Sequence, residues 1–182
     1  MADETPTQRD APGAPDDQHD PGPAVTGPEV RERILRIAFD DDRPRFEQFM
    51  QTLRDAIPPD VAVAIRGSAV TGKRWRSEIP FDADGPGTSD LDLTLIGGDM
   101  VKHFDVQYIP GMHSAPLSDE HPDASVTFLP LRLALCKIAR RPVNIQATSD
   151  VLQYMRDVVM NQPYFILIEK DGEQDWPSAG PA

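Results

Sequence analysis

The stretch "IRGSAVTGKRWRSEIPFDADGPGTSDLDLTL" (residues 65–95) contains the two short motifs that decide how this chain folds. Gly67-Ser68 follows the apolar run "VAVAI" (residues 61–65), and Asp90-Leu91-Asp92 opens the alternating run "DLDLTLI" (residues 90–96). Both runs have the length and apolar content of buried β-strands. We therefore expect one strand to end at the Gly-Ser pair and another to begin at the paired carboxylates.

The sequence on both sides of this stretch alternates between helical and strand patterns. Apolar residues at helical spacing precede it, and the helix that they predict ends at Pro58-Pro59. After it, the sequence predicts a helix from Pro130 to about Arg140, a strand "VNIQAT" (143–148), a helix over about 150–161 and a strand "YFILIEK" (164–170). The expected fold class is α/β (α+β), with a mixed β-sheet flanked by helices.

The composition limits the classes of partner. With 30 acidic residues against 18 Lys and Arg, the net charge is -12, which argues against a broad nucleic-acid-binding surface. No apolar run approaches the roughly 18 residues of a membrane span, so no membrane partner is expected. The single cysteine, Cys136, excludes an internal disulfide and favours the reducing cytoplasm.

Both ends of the chain differ in composition from the middle. The segment 1–30 carries seven acids, one base and six prolines but no aromatic residue. Such a segment buries too little apolar surface to offset its ordering entropy, so we expect a disordered acidic tail. The domain is expected over residues 31–172, followed by a flexible tail over residues 173–182.

The paired carboxylates are the first candidate site. Residues two apart on a strand point to the same side, so Asp90 and Asp92 are expected together on the face opposite Leu91, Leu93 and Leu95. Two adjacent carboxylates repel each other unless a cation lies between them, and oxygen ligands suit Mg²⁺ or Mn²⁺. A solvated strand edge would carry the same pattern.

The order of the motifs resembles the nucleotidyltransferase fold of the DNA polymerase β superfamily. That signature is an apolar strand, Gly-Ser, a short helix and a strand with Asp-x-Asp, matched here by "VAIRGS" (63–68) and "TSDLDLTL" (88–95). The resemblance spans roughly residues 33–170. It implies that Gly67 and Ser68, with Ser89 beside the carboxylates, hold the phosphates of a nucleoside triphosphate. It also implies that Asp90 and Asp92 bind Mg²⁺ or Mn²⁺ and are the catalytic residues.

The chain departs from the pattern of that superfamily at two points. The third carboxylate of the family is expected on "RPVNIQAT" (141–148), where Asn144 stands; an amide offers an oxygen to a metal but cannot act as a base. Asp105 and Asp82 are the alternative third ligands. Moreover, 21 residues separate Ser68 from Asp90, and "RWRSEIPFDADGPG" (74–87) is expected to form a loop over the site.

Three other patterns in the sequence could indicate a ligand site. "GSAVTGKR" (67–74) nearly matches a phosphate-binding P-loop, but it lacks the Ser or Thr after Lys73 and the long helix that the mechanism requires. Lys73, Arg74 and Arg76 surround Trp75 and can neutralise a triphosphate or form a solvated loop. His103, Asp105, His113 and His121 match no zinc spacing, so loop packing is the expected role.

The sequence therefore predicts a Mg²⁺-dependent nucleotidyltransferase that moves a nucleoside monophosphate from a nucleoside triphosphate to a hydroxyl acceptor, either a protein, an RNA end or a small molecule. The alternative is a non-catalytic module of the same fold that senses nucleotide or binds a partner, which Asn144 favours. Small stand-alone members of the superfamily resemble the antitoxin halves of bacterial toxin–antitoxin pairs.

Overall fold

A computed structural model of the chain describes residues 27–74, 77–97, 99–158 and 160–171. In them, helices flank a mixed β-sheet, which confirms the expected α/β fold class. The elements are α1 (Gly27–Phe39), α2 (Arg43–Ala56), β1 (Ala62–Arg66), α3 (Ser68–Thr71), β2 (Leu91–Ile96), a 3₁₀ helix (Met100–His103), β3 (Gln107–Ile109), β4 (His113–Ser114), α4 (Leu129–Ala139), β5 (Val143–Thr148), α5 (Asp150–Val158) and β6 (Tyr164–Ile168).

The six strands lie in the order β3-β4-β5-β2-β1-β6. β2 and β5 are parallel, whereas β1 is antiparallel to both β2 and β6. The register pairs Arg66 with Asp92 and Asp92 with Asn144. Paired residues of neighbouring strands point to the same side. These three side chains therefore form one row across the strands β1, β2 and β5, at the end where β1 stops and β2 and β5 begin.

The larger core lies on one face of the sheet, beneath α1, α2 and α4. Leu91, Leu93 and Leu95 are fully buried in it, as the alternation of "DLDLTLI" predicts. Phe39 packs edge-to-face on Phe46 and on Phe49, with ring centroids 5.2 Å apart in each pair. This core fixes the face of β2 that carries the leucines and thereby turns the residues between them to the opposite face.

The opposite face of the sheet is divided between an apolar half and a polar half. A smaller apolar cluster covers β1, β6 and the end of β2; it consists of Ala62, Ala64, Ile96, Tyr164 and Ile166. Towards β5 the same face carries Thr94 and Gln146, which hydrogen-bond to each other. The row of Arg66, Asp92 and Asn144 lies at one end of this face, so the candidate site is built on the less apolar side of the sheet.

Three features differ from the sequence-based expectations. Helix α1 begins at Gly27 and Val30 is buried, so the folded part starts four residues before the predicted boundary at residue 31. Helix α5 ends at Val158 instead of continuing to about residue 161. The short strands β3 and β4 were not predicted, because two or three residues carry too little periodicity. The remaining tail residues, 1–26 and 172–182, lie outside the described residues.

Two helix ends have simple local causes. The side chain of Asp42 accepts a hydrogen bond from the N–H of Arg45 and caps α2, which also has a proline in its first turn. The helix ends before Pro58, as the sequence predicts. None of the helices in the described part of the chain is long and apolar enough to cross a membrane.

Candidate functional site

The Gly-Ser pair and the paired carboxylates meet at the ends of β1 and β2. Gly67 follows β1 with φ 74° and ψ -149°, a conformation that is essentially restricted to glycine. A Cβ atom at Gly67 would lie 3.4 Å from Oδ2 of Asp92, so the backbone here passes directly beside the carboxylate. The two motifs are therefore parts of one site, in the arrangement that the sequence predicts.

An open cleft of about 410 Å³ lies over this meeting point. That volume falls within the range of about 300–1,000 Å³ that is usual for small-molecule sites. Its lining combines two arginines, two carboxylates, three hydroxyls, a glycine and one amide; the residues are Arg66, Gly67, Ser68, Arg74, Thr88, Ser89, Asp90, Asp92, Gln162 and Pro163. The cleft thus carries both cationic and anionic groups.

Asn144 connects the two carboxylates. Its Nδ2 atom lies 2.6 Å from Oδ2 of Asp90 and 3.0 Å from Oδ1 of Asp92. An ionised carboxylate only accepts hydrogen bonds, so the amide must present its NH₂ group to both. The sum of the two distances places the two carboxylate oxygens no more than about 5.6 Å apart. Asn144 therefore occupies the position between the carboxylates that a shared cation would use.

The electrostatics of the row are set by burial and by neighbouring charges. Burial raises the pKa of Asp92, and the charge of Asp90 raises it further, against the opposing effects of the Asn144 hydrogen bond and of Arg66. Burial and the positive charge of Arg156 lower the pKa of Arg66 to about 10, although Asp92 acts in the opposite direction. Arg66 thus stays charged at neutral pH, and Asp92 ionises at a cost.

A buried arginine anchors the loop before the carboxylates. Arg141 donates to both carboxylate oxygens of Asp82, at 3.0 and 3.1 Å, and to the carbonyl oxygens of Ser89 and Ala38. Its guanidinium also lies 4.7 Å from the ring centroid of Phe81. Because Ser89 directly precedes Asp90, these contacts fix where the carboxylate pair begins.

Asp82 therefore has a structural role, and the structure does not support it as a third metal ligand. It accepts hydrogen bonds from the N–H groups of Gly87 and Ser89 as well as from Arg141. Burial alone would raise the pKa of Asp82, but these donors outweigh it and lower the pKa below the ordinary value. The hydroxyl of Ser89 accepts the N–H of Asp82, although Ser89 does line the cleft.

Two further predicted residues lie away from the cleft lining. Lys73 forms an exposed ion pair with Glu78 and does not line the cleft, whereas its neighbour Arg74 does. Asp105 lies between the 3₁₀ helix and β3, where its N–H donates to Ala124, and it is not a cleft residue either. Trp75 and Arg76, the rest of the predicted basic cluster, lie outside the described residues.

The other two competing patterns find their place in the fold. Helix α3 (Ser68–Thr71) has four residues and Gly72 is its left-handed C-cap, so the described residues include no long helix behind the Gly-rich segment, as a P-loop would require. His113 is buried; its Nδ1 contacts the carbonyl oxygen of Ala147 and its Nε2 the guanidinium of Arg156. A carbonyl accepts and a guanidinium donates, so the imidazole is neutral, and burial lowers its pKa to about 4.

Arg66, Arg141 and Gln162 are site residues that sequence reasoning missed. A signal for Arg66 existed, because it alternates with Val63 and Ile65 of the buried strand and so belongs to the face that carries Asp92. Arg141 and Gln162 had no local signal. They reach the site only through the pairing of β5 with β2 and through the turn that joins α5 to β6.

The residues at the end of the cleft fit a hard divalent cation. Asp90 and Asp92 offer charged oxygens. Asn144 presents its NH₂ group to them, and it offers an amide oxygen when the amide group rotates by about 180° around the Cβ–Cγ bond. This is a set of two carboxylates: among the described residues, no group of three or more His, Cys, Asp or Glu side chains is placed to hold a metal ion. Water molecules or the oxygens of a phosphate-bearing ligand would complete the coordination.

No protein-family model, no curated protein and no solved structure matches this chain significantly.

Proposed function

We propose that this protein binds a nucleoside triphosphate together with Mg²⁺ or Mn²⁺ and transfers its nucleotidyl group to a hydroxyl acceptor. The observation that carries the proposal is the convergence of Gly67, Ser68, Asp90 and Asp92 on one cleft. The resemblance to the nucleotidyltransferase superfamily selects these four residues together with Ser89, and 21 residues separate Ser68 from Asp90.

The cleft offers separate groups for the phosphates. Gly67 has no side chain, so phosphate oxygens can approach the backbone at the end of β1. The hydroxyl of Ser68 is a hydrogen-bond donor, and Arg66 and Arg74 supply positive charge for a polyanion. Arg74 also pairs with Asp84 at the exposed rim, so part of its charge is already compensated.

Asp90 and Asp92 would hold the cation. A bound Mg²⁺ or Mn²⁺ supplies charge stabilisation to the phosphate oxygens during the displacement. The hydroxyl oxygen of the acceptor forms a bond to the α-phosphorus, and the bond from that phosphorus to the bridging oxygen breaks. Pyrophosphate leaves with the electron pair. Among the described cleft residues, Asp90 and Asp92 are the carboxylates that would take the hydroxyl proton.

The direct test is transfer of label from each nucleoside triphosphate, labelled at the α-phosphate, to the protein itself or to an acceptor in a cell lysate. The purified full-length chain is incubated with Mg²⁺ or Mn²⁺, and labelled bands are compared with those of the double variant Asp90→Asn/Asp92→Asn. Asp105→Asn is the matched control, because it removes a carboxylate that lies away from the cleft. Label that the double variant loses and the control keeps would support the proposal.

A nucleoside triphosphate that fails to bind in isothermal titration, with either cation and for all four bases, would defeat the proposal. Binding without transfer would instead support the second candidate, a module of the same fold that senses nucleotide or binds a partner protein. Asn144 is the observation that favours this candidate, because an amide stands where the superfamily has its third carboxylate and cannot take a proton from an acceptor. If that module acts through a partner protein and not through the nucleotide, Asp90→Ala would leave the cellular role intact.

A further inference from the structure

The carboxylate pair is bound by the protein's own donors from one side. The amide nitrogen of Asn144 on β5 donates hydrogen bonds to Asp90 and to Asp92, at 2.6 and 3.0 Å. A neutral NH₂ group thereby holds together two negative charges that would otherwise repel each other. A cation placed between the carboxylates would compete with this amide for Oδ2 of Asp90 and Oδ1 of Asp92.

A positive charge faces the pair from the other side. Arg66 on β1 is directly opposite Asp92 in the register of the sheet and lines the cleft. Its Nε atom is buried and has no hydrogen-bond partner among the described residues. A buried guanidinium N–H without an acceptor is costly, so this N–H group is suited to donate a hydrogen bond to an anionic ligand.

The charges in the row determine what the site attracts. Two carboxylates and one guanidinium leave a net charge of about -1, before Arg156, the second positive charge that acts on Arg66, is counted. A divalent cation alone meets an amide that already holds one oxygen of each carboxylate and a guanidinium that repels the cation. A triphosphate alone is repelled by the two carboxylates, whose combined charge exceeds that of Arg66. Each ligand therefore supplies the charge that the other one needs.

We infer that Asn144 and Arg66 keep the carboxylate pair closed to free divalent cations, so that the cation binds only in company with the polyphosphate of a nucleotide. This inference rests on the proposed function and specifies how its site selects its ligand. When the metal–nucleotide complex binds, Arg66 donates to the phosphates and no longer compensates the charge of Asp92. The amide of Asn144 then rotates away from the carboxylates. Both are positioning residues for the metal and the nucleotide.

The inference is tested by Mn²⁺ binding, which electron paramagnetic resonance measures as the loss of the free Mn²⁺ signal. Wild-type full-length protein is titrated with Mn²⁺ alone and then, by calorimetry, with preformed Mn²⁺ complexes of the four unreactive α,β-methylene nucleoside triphosphates. We expect at least one of the complexes to bind at least tenfold more tightly than Mn²⁺ alone or than that nucleotide with the metal chelated. Such coupling is reciprocal, so either ligand must improve the binding of the other by the same factor.

Variants separate the two residues. Asn144→Ala removes the competing donor, so we expect Mn²⁺ alone to bind at least threefold more tightly; a loss of affinity would mean that Asn144 is a metal ligand and would overturn the inference. Arg66→Met keeps an apolar stem but removes the charge, so Mn²⁺ alone should bind more tightly and the metal–nucleotide complex more weakly. Gln146→Met is the matched control, because Gln146 lies two residues along β5 and donates to Thr94 instead. Circular dichroism confirms that each variant is folded.

The outcomes distinguish this inference from the proposed function. A wild-type protein that binds Mn²⁺ alone as tightly as the best metal–nucleotide complex overturns the inference and leaves nucleotidyl transfer untouched. The absence of any nucleotide binding defeats the proposed function and the coupling together. Increased affinity for Mn²⁺ alone in Asn144→Ala and Arg66→Met, but not in Gln146→Met, supports the inference.

Discussion

Replacing Asp92 by asparagine should stabilise the metal-free protein while it abolishes the proposed nucleotidyl transfer. The environment of Asp92 disfavours its charge, since burial and the neighbouring charge of Asp90 raise its pKa despite the attraction of Arg66 and the hydrogen bond from Asn144. Asparagine has the same shape and keeps an oxygen that can accept the hydrogen bond from Asn144, but it carries no charge. The substitution therefore removes an unfavourable term and retains the packing.

The size of the effect follows from the distance between the carboxylates. Their oxygens lie no more than about 5.6 Å apart, since both accept from the same nitrogen atom. At that distance the repulsion is about 3 kcal/mol for an effective dielectric constant of about 20 and about 0.7 kcal/mol in bulk water. Asp90 is exposed, so solvent screens the pair and the lower part of this range applies. We expect about 1 kcal/mol, or an increase of about 2–4 °C in the melting temperature.

The pH dependence provides the diagnostic assay. The pKa of Asp92 is higher in the folded than in the unfolded protein, so the folded protein binds the proton more tightly. Wild-type stability should therefore rise, relative to that of Asp92→Asn, as the pH falls from neutral through the folded-state pKa. Thermal unfolding of both proteins in chelator, followed by circular dichroism between about pH 7 and pH 4, measures this difference.

The electrostatic reasoning is refuted if Asp92→Asn melts at the same temperature as the wild-type protein at neutral pH, or at a lower one. It is also refuted if the difference in stability between the two proteins does not shrink as the pH falls. Asp105→Asn serves as the control, because it removes a negative charge away from the cleft without separating a carboxylate pair. Adding Mn²⁺ with nucleotide should reverse the order of stability, since a ligand stabilises only the protein that binds it.

Three further substitutions test other parts of the site. Arg141→Met leaves Asp82 largely buried without its cation and should cost about 3 kcal/mol in urea unfolding at pH 7; because the pKa of Asp82 is lowered in the folded state, this cost should disappear as the pH falls through that pKa. Gly67→Ala forces a side chain into a backbone conformation that only glycine adopts readily, so we expect a loss of about 1–3 kcal/mol in unfolding free energy and weaker nucleotide binding. Lys73→Ala should change nucleotide affinity less than twofold in calorimetry, because Lys73 pairs with Glu78 outside the cleft; a tenfold loss would show that the loop brings Lys73 to the ligand.

The sequence predicts the sheet strands well where they carry a complete alternation. The run "VNIQAT" matches β5 residue for residue, and "DLDLTLI" exceeds β2 by one residue. Both strands have every second residue fully buried, so the pattern records one core face directly. For the same reason the face of each strand on which Asp92 and Asn144 lie could be predicted, whereas their contact depends on the pairing of β2 with β5.

What the sequence does not contain is the pairing of distant segments. Helix α1 shows helical spacing in Val30, Ile34, Leu35 and Ala38, but the acidic, proline-rich composition before it hid the start of the domain. The role of Asp82 depends on Arg141, which lies 59 residues away and can be identified only when the loop and β5 are placed together. The sequence alone does not distinguish a carboxylate that pairs with a buried arginine from a carboxylate that could bind a metal ion.

The contrast between Asp82 and Asp92 explains why the second is the better functional candidate. Asp82 receives two backbone N–H groups and a guanidinium, so its charge is fully compensated and its pKa falls. Asp92 has one amide hydrogen bond, a neighbouring carboxylate and burial, so its charge is undercompensated and its pKa rises. A fold that only needed a polar residue there would be more stable with a neutral one. An ionised pair at this position is maintained at a cost to stability, and a positively charged ligand at the cleft would remove that cost.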